Sequence, residues 1–161
     1  MNDPARARSS RLLWSIGIAA AIGIGVFAFV AWHSVTVEQV QPDELLSRFA
    51  EIRTRLTCTE PIWHLDAAGV VTRREAPPAT EARPTRLRVL AYRAPQERLV
   101  RVDVPFWFLK VKGPAVQYAL RETGLDLERL GITPAELEQY GPCLVLDQTR
   151  ANGDRLLVWT E

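Results

Sequence analysis

Apolar residues follow three rhythms along this chain, and each predicts a different kind of element. From Leu12 to Trp32 they are almost continuous, and the stretch WSIGIAAAIGIGVFAFVAW, residues 14–32, carries no charge. At a helical rise of about 1.5 Å per residue that stretch is ~27 Å long, close to the ~30 Å hydrocarbon thickness of a bilayer. A tryptophan stands at each end, where indole rings favour the headgroup level, so a transmembrane helix is predicted over residues 12–32. A cleaved signal peptide is the rival reading. Its apolar core runs only about 7–15 residues and ends at a small-x-small site, whereas this run is longer and ends in Phe29-Val30-Ala31-Trp32-His33. An uncleaved signal-anchor is therefore expected.

The second rhythm is helical. After an extended stalk over residues 33–41, QPDELLSRFAEIRTRL places Leu45, Phe49, Ile52 and Leu56 on one stripe. Pro42 suits the first helical position, and Asp43 and Glu44 suit the positive end of the dipole. Glu44 with Arg48 and Glu51 with Arg55 are i,i+4 pairs. This helix is expected to pack on its own domain. Further on, FWFLKVKGPAVQYALRETG has a natural helix start at Gly113-Pro114. ITPAELEQYG carries a full set of signals, with Thr133 as cap, Pro134 in first position, Glu136 closing a capping box and Gly141 as terminator.

The third rhythm is period two. PIWHLDAAGVVTRRE reads as strand, turn at Asp66 to Gly69, and strand. Leu87, Val89 and Ala91 alternate ahead of a turn at Ala94 to Glu97, and Val100, Val102 and Val104 alternate behind it. The segment CLVLDQTRANGDRLLVWTE turns at Asn152-Gly153, a dipeptide that tolerates positive φ. Residues 75–84, EAPPATEARP, read as an exposed proline-rich loop. The fold class expected from this order is α+β: the transmembrane helix, then one domain over residues 42–161 with an antiparallel sheet built from hairpins and helices covering one face.

Charge adds orientation. The net charge is +1, with Arg6, Arg8 and Arg11 crowded ahead of the apolar run and no Lys or Arg in the first fifteen residues after it. That asymmetry predicts a cytoplasmic basic tail over residues 1–11 and a domain outside the cytoplasm, on a single-pass protein of the inner membrane. Arginine outnumbers lysine 18 to 2, a hint of a GC-rich bacterial genome. The part beyond residue 32 is nearly neutral, and no basic stripe of the kind that displaces counterions from phosphates is visible, so nucleic acid is not an expected partner.

Chemistry is sparse. Cys58 and His64 lack the paired close spacings of zinc ligands. Cys58, His64 and Asp66 form a conceivable nucleophile, base and acid, against which stands a plain solvent-facing row on a strand. There is no P-loop, no dinucleotide fingerprint and no other cofactor motif, and a non-catalytic role is favoured over a small envelope enzyme or enzyme subunit with an unrecognised site. The two cysteines, Cys58 and Cys143, form a disulfide if the domain lies in an oxidising compartment; two buried free thiols are the alternative. Gly17, Ala21 and Gly25 line one helix face with small residues, a candidate surface for pairing or homodimerisation. Phe106, Trp107 and Phe108 in PFWFLK cannot all face one core from a regular element, which makes them a candidate partner patch or, alternatively, core fillers.

From Arg98 to Glu161 the chain resembles the small strand-helix-strand domain of bacterial envelope-stress proteins of the LiaX/YvlB type. The resemblance rests on a V-x-V-x-x-P strand, here Val100, Val102 and Pro105, a helical middle, and a closing hairpin with its turn at Asn152-Gly153. It implies a non-enzymatic adaptor or sensing role and carries no site residues over. The expected function is thus a membrane-anchored extracytoplasmic binding or adaptor module, held to the lipid bilayer through residues 12–32, with a protein partner or a second copy as its associate.

Overall fold

The computed structural model describes residues 35–65, 71–75, 82–111, 117 and 120–161, together with Gly25. Seven strands form one sheet: β1 (Val35–Gln39), β2 (Trp63–Leu65), β3 (Val71–Arg73), β4 (Arg86–Arg93), β5 (Arg98–Pro105), β6 (Leu144–Thr149) and β7 (Arg155–Thr160). Among the described residues the α-helices with assigned bounds are α1 (Pro42–Arg55), α2 (Phe106–Lys110) and α3 (Pro134–Tyr140). The strand order is β1-β5-β4-β7-β6-β2-β3.

Alternation on the central strands explains the layering. Leu90 and Tyr92 of β4, Leu99 of β5 and Leu157 and Trp159 of β7 share one face, where they pack with Leu45 and Phe49 of α1. The alternate residues, Leu87, Val89, Val100, Val102 and Val158 among them, are buried as well. Their side of the sheet receives α3, whose Tyr140 ring lies 5.7 Å from that of Trp63. With both faces covered, β4 and β7 carry unbroken buried runs, Val89 to Tyr92 and Leu156 to Thr160, whereas Arg101 and Asp103 interrupt β5.

Among the described residues no helix is long and apolar enough to cross a membrane, and of residues 12–32 only Gly25 is described, so the expected transmembrane helix finds no support and the fold class becomes α+β without it. Of the small-residue face, Gly17 and Ala21 lie outside the described residues; Gly25 is helical, with open space where a Cβ would stand. The sheet is mixed rather than antiparallel, because β2 runs parallel to β6 through Trp63 and Leu146. Among the described residues helical cover is sparse and is not confined to one face. The segment taken for a stalk holds β1, an edge strand paired antiparallel with β5 from Val35 opposite Val102 to Gln39 opposite Arg98.

Other readings agree with the structure. Pro42 opens α1, with Leu45 and Phe49 buried and the Glu44–Arg48 and Glu51–Arg55 pairs formed. The turn after β2 and residues 76–81 of the proline-rich loop lie outside the described residues, as does most of the helix expected from Gly113, of which Gln117, Leu120 and Arg121 are described and helical. At α3 the capping box is complete: the Glu136 N–H donates to Thr133 Oγ1 at 3.2 Å, and the Thr133 N–H donates to Glu136 Oε2 at 3.0 Å. Thr133→Ala removes the acceptor for one of the orphan amides of the first turn and should cost about 1 kcal/mol, read as a lower midpoint in urea denaturation. An unchanged midpoint would mean that packing alone sets this helix start.

Candidate functional site

The end of the sheet at the β4–β5 turn holds a cleft of about 340 Å³ whose lining includes Arg93, Arg98, Val100, Arg121, Glu122 and Asp154. Its construction begins with strand parity. Leu87, Val89, Ala91 and Arg93 follow one another on one face of β4, and Arg98, Val100, Val102 and Val104 do so on β5. Each strand therefore ends its core-facing series with an arginine. In the ladder Arg93 stands directly opposite Arg98, and like charges facing each other across an antiparallel pair are destabilising.

One of the two is neutralised. Arg93 Nη1 donates to Asp154 Oδ2 at 3.2 Å, and the same carboxylate accepts from the Ala94 N–H at 2.9 Å and from the Asn152 side-chain amide at 3.1 Å. Asp154 is 6% exposed. Burial by itself raises its pKa, but the Ala94 amide, the Asn152 side chain and the Arg93 guanidinium outweigh that and hold the carboxyl below the ordinary aspartate value. The network ties the 3-10 turn Ala94–Gln96 to the β6–β7 loop, which Gly153 enters at φ +85°. Gly124, at φ +70°, lies so close to the Arg93 guanidinium that a Cβ there would collide with Nη2. A glycine lets the chain after Arg121 approach Arg93 directly, which brings Arg121 and Glu122 to the cleft.

Arg98 and Arg121 are left with no ion pair and no side-chain hydrogen bond among the described residues. Val100, buried in the floor, and Pro95 of the turn supply the apolar part of the lining. The cleft thus combines two uncommitted guanidinium groups, a third held by Asp154, one opposing carboxylate at Glu122 and an apolar border. Neither Arg98 nor Arg121 was singled out from the sequence. For Arg98 the available signal was phase, an arginine at one end of a series that otherwise faces the core; Arg121 carried no such signal.

The residues that the sequence did single out are distributed differently. Cys58, after α1, and Cys143, before β6, are joined in a disulfide with Cα atoms 4.8 Å apart. The Leu144 N–H donates to Cys58 O at 3.1 Å, and Thr160, 1% exposed, accepts from the Cys143 N–H through Oγ1 at 3.0 Å. Arg74 holds Glu60 at 2.7 Å with one nitrogen and turns the other toward Cys58 Sγ at 3.4 Å. Cys58 is thereby spent as a thiol, His64 is exposed, and Asp66 lies outside the described residues, so no nucleophile triad is assembled from described residues. The aromatic patch divides: Phe106 and Phe108 are buried, while Trp107 is 52% exposed on the single turn of α2 and meets the Phe108 ring edge-on at 5.7 Å.

No protein-family model, curated protein or solved structure matches the chain.

Proposed function

We propose that the domain is a non-catalytic binding module of the bacterial cell envelope, working outside the cytoplasm, with the arginine-lined cleft as its binding place. The carrying observation is the pairing of Cys58 with Cys143 across a sequence separation of 85 residues. Disulfides of this kind persist in oxidising compartments and are rare in the cytosol. The adaptor role implied by the resemblance to envelope-stress domains agrees with it. Binding rather than chemistry is favoured because the cleft gathers permanently charged groups and an apolar floor, which suit recognition, while Cys58 has no free thiol to offer as a nucleophile.

The test is a pair of reporters fused behind Glu161, one active only after export and one only in the cytosol. The expected result is activity from the first alone. Activity from the second alone would sink the compartment reading.

A further inference from the structure

We infer that the cleft binds a monoanionic carboxylate carrying a short apolar body, with Arg98 and Arg121 as the residues that grip the carboxylate; the inference rests on the binding-module reading above. Three features of the site lead to this ligand class. The first is unspent charge. Arg93 and Arg98 face each other across the hairpin, Asp154 satisfies only Arg93, and Arg98 and Arg121 have no anionic partner among the described residues. Guanidinium groups present a planar fork that matches a carboxylate bidentately, so an anion at this place meets the positive charge that Asp154 leaves unpaired.

The second feature is the amount of charge. Arg93, Arg98 and Arg121 are opposed by Asp154 and Glu122, which leaves a single positive charge in the lining. A monoanion balances it; a dianion such as a phosphate monoester brings one charge too many against Glu122. The third is shape. The cleft, at about 340 Å³, stands at the small end of ligand sites, and Pro95 and Val100 of its lining give a short apolar body somewhere to lie. The same chemistry is presented by a free short-chain organic acid and by the carboxy-terminal residue of a peptide.

The experiment is a titration of the full 161-residue chain, labelled with nitrogen-15, by hexanoate. Saturable shifts are expected at the amides of Arg98, Val100 and Arg121. Arg98→Ala combined with Arg121→Ala should weaken binding about tenfold or more, as the loss of a charge-assisted pair implies. Glu122→Gln should strengthen it several-fold and admit inorganic phosphate, a gain that a merely structural residue would not give. A tetrapeptide with an apolar last residue, compared free and carboxy-terminally amidated, separates the sources. Tighter binding than hexanoate by the free form alone assigns the site to peptide termini, and weaker binding assigns it to small acids.

Equal shifts with hexanol, no saturable shift with hexanoate, or tighter binding of inorganic phosphate than of hexanoate by the unaltered protein would each overturn the inference. Its failure is distinct from failure of the compartment reading. A silent cleft in an exported protein removes the ligand class alone, and a cytosolic protein that binds hexanoate removes the envelope alone.

Discussion

Replacing both Cys58 and Cys143 by alanine should lower the unfolding free energy by about 4–5 kcal/mol, the loop-closure entropy that a crosslink over this sequence separation removes from the unfolded chain. The bond joins the chain after α1 to the start of β6, two places that the fold also connects through the Leu144 N–H to Cys58 O hydrogen bond. Those local bonds survive the substitution, so the folded state should keep its architecture. The effect should fall on the unfolded state, as a lower midpoint in denaturant with a larger dependence on denaturant concentration, because the uncrosslinked chain exposes more surface on unfolding. Treating the unaltered protein with a strong reductant should reproduce the loss. A difference below about 1 kcal/mol would show that the two segments are already held together in the unfolded ensemble.

The second large effect is expected at Asp154. Asp154→Ala leaves the Ala94 amide and the Asn152 side chain without their acceptor, and leaves Arg93 facing Arg98 with no neutralising carboxylate. Since Arg93 keeps partial contact with solvent, the cost is set below that of a fully buried pair, at about 3 kcal/mol. The sign of the pH dependence follows from the depressed pKa. A carboxyl held below its unfolded value contributes stability that is fully present above about pH 4. That contribution is lost as pH falls through the folded value. Glu136 acts in the same sense: burial raises its carboxyl, and the Thr133 amide and hydroxyl together with Arg73 bring it below the ordinary glutamate value. Urea denaturation at neutral pH and at about pH 3 should therefore show Asp154→Ala losing less, relative to the unaltered protein, in acid. An equal loss at both values would mean that the carboxylate charge is irrelevant and that only side-chain packing is missed.

What the sequence revealed depended on how local each signal was. The stripe of Leu45 and Phe49, the capping box of Thr133 and Glu136, and the alternation through Val100 to Val104 all act within a few residues, and each element appears where its pattern places it. The edge strand β1 was missed because Thr36, Glu38 and Gln39 make VTVEQ look solvated, which at a sheet edge it largely is. The parallel pairing of β2 with β6 was missed because it joins segments distant in the chain, and no local turn announces it. The aromatic run PFWF divided because one helical turn sends Phe106 and Phe108 inward and Trp107 outward. The cleft was hidden for a related reason. Arg93 and Arg98 look like ordinary turn charges until the ladder sets them face to face, and Arg121 reaches them only through the close approach at Gly124.

The arginine cleft and the disulfide also bear on each other through Thr160 and β7. The strand that Asp154 precedes is the one whose last buried residue braces Cys143. Loosening either end should therefore be felt at the other, and the two alanine variants at Asp154 and at the cysteines share a strand through which their effects can couple.

The state of the two sulfurs in the living cell decides most directly whether the domain works in an oxidising compartment. Cells are quenched in acid, free thiols are blocked with a mass-shifting alkylating reagent before any reduction, and the intact chain is weighed. The expected result is a chain that takes up no reagent until it is reduced and two equivalents afterwards; a chain that takes up two equivalents at the outset would contradict an oxidising environment and the function proposed on it.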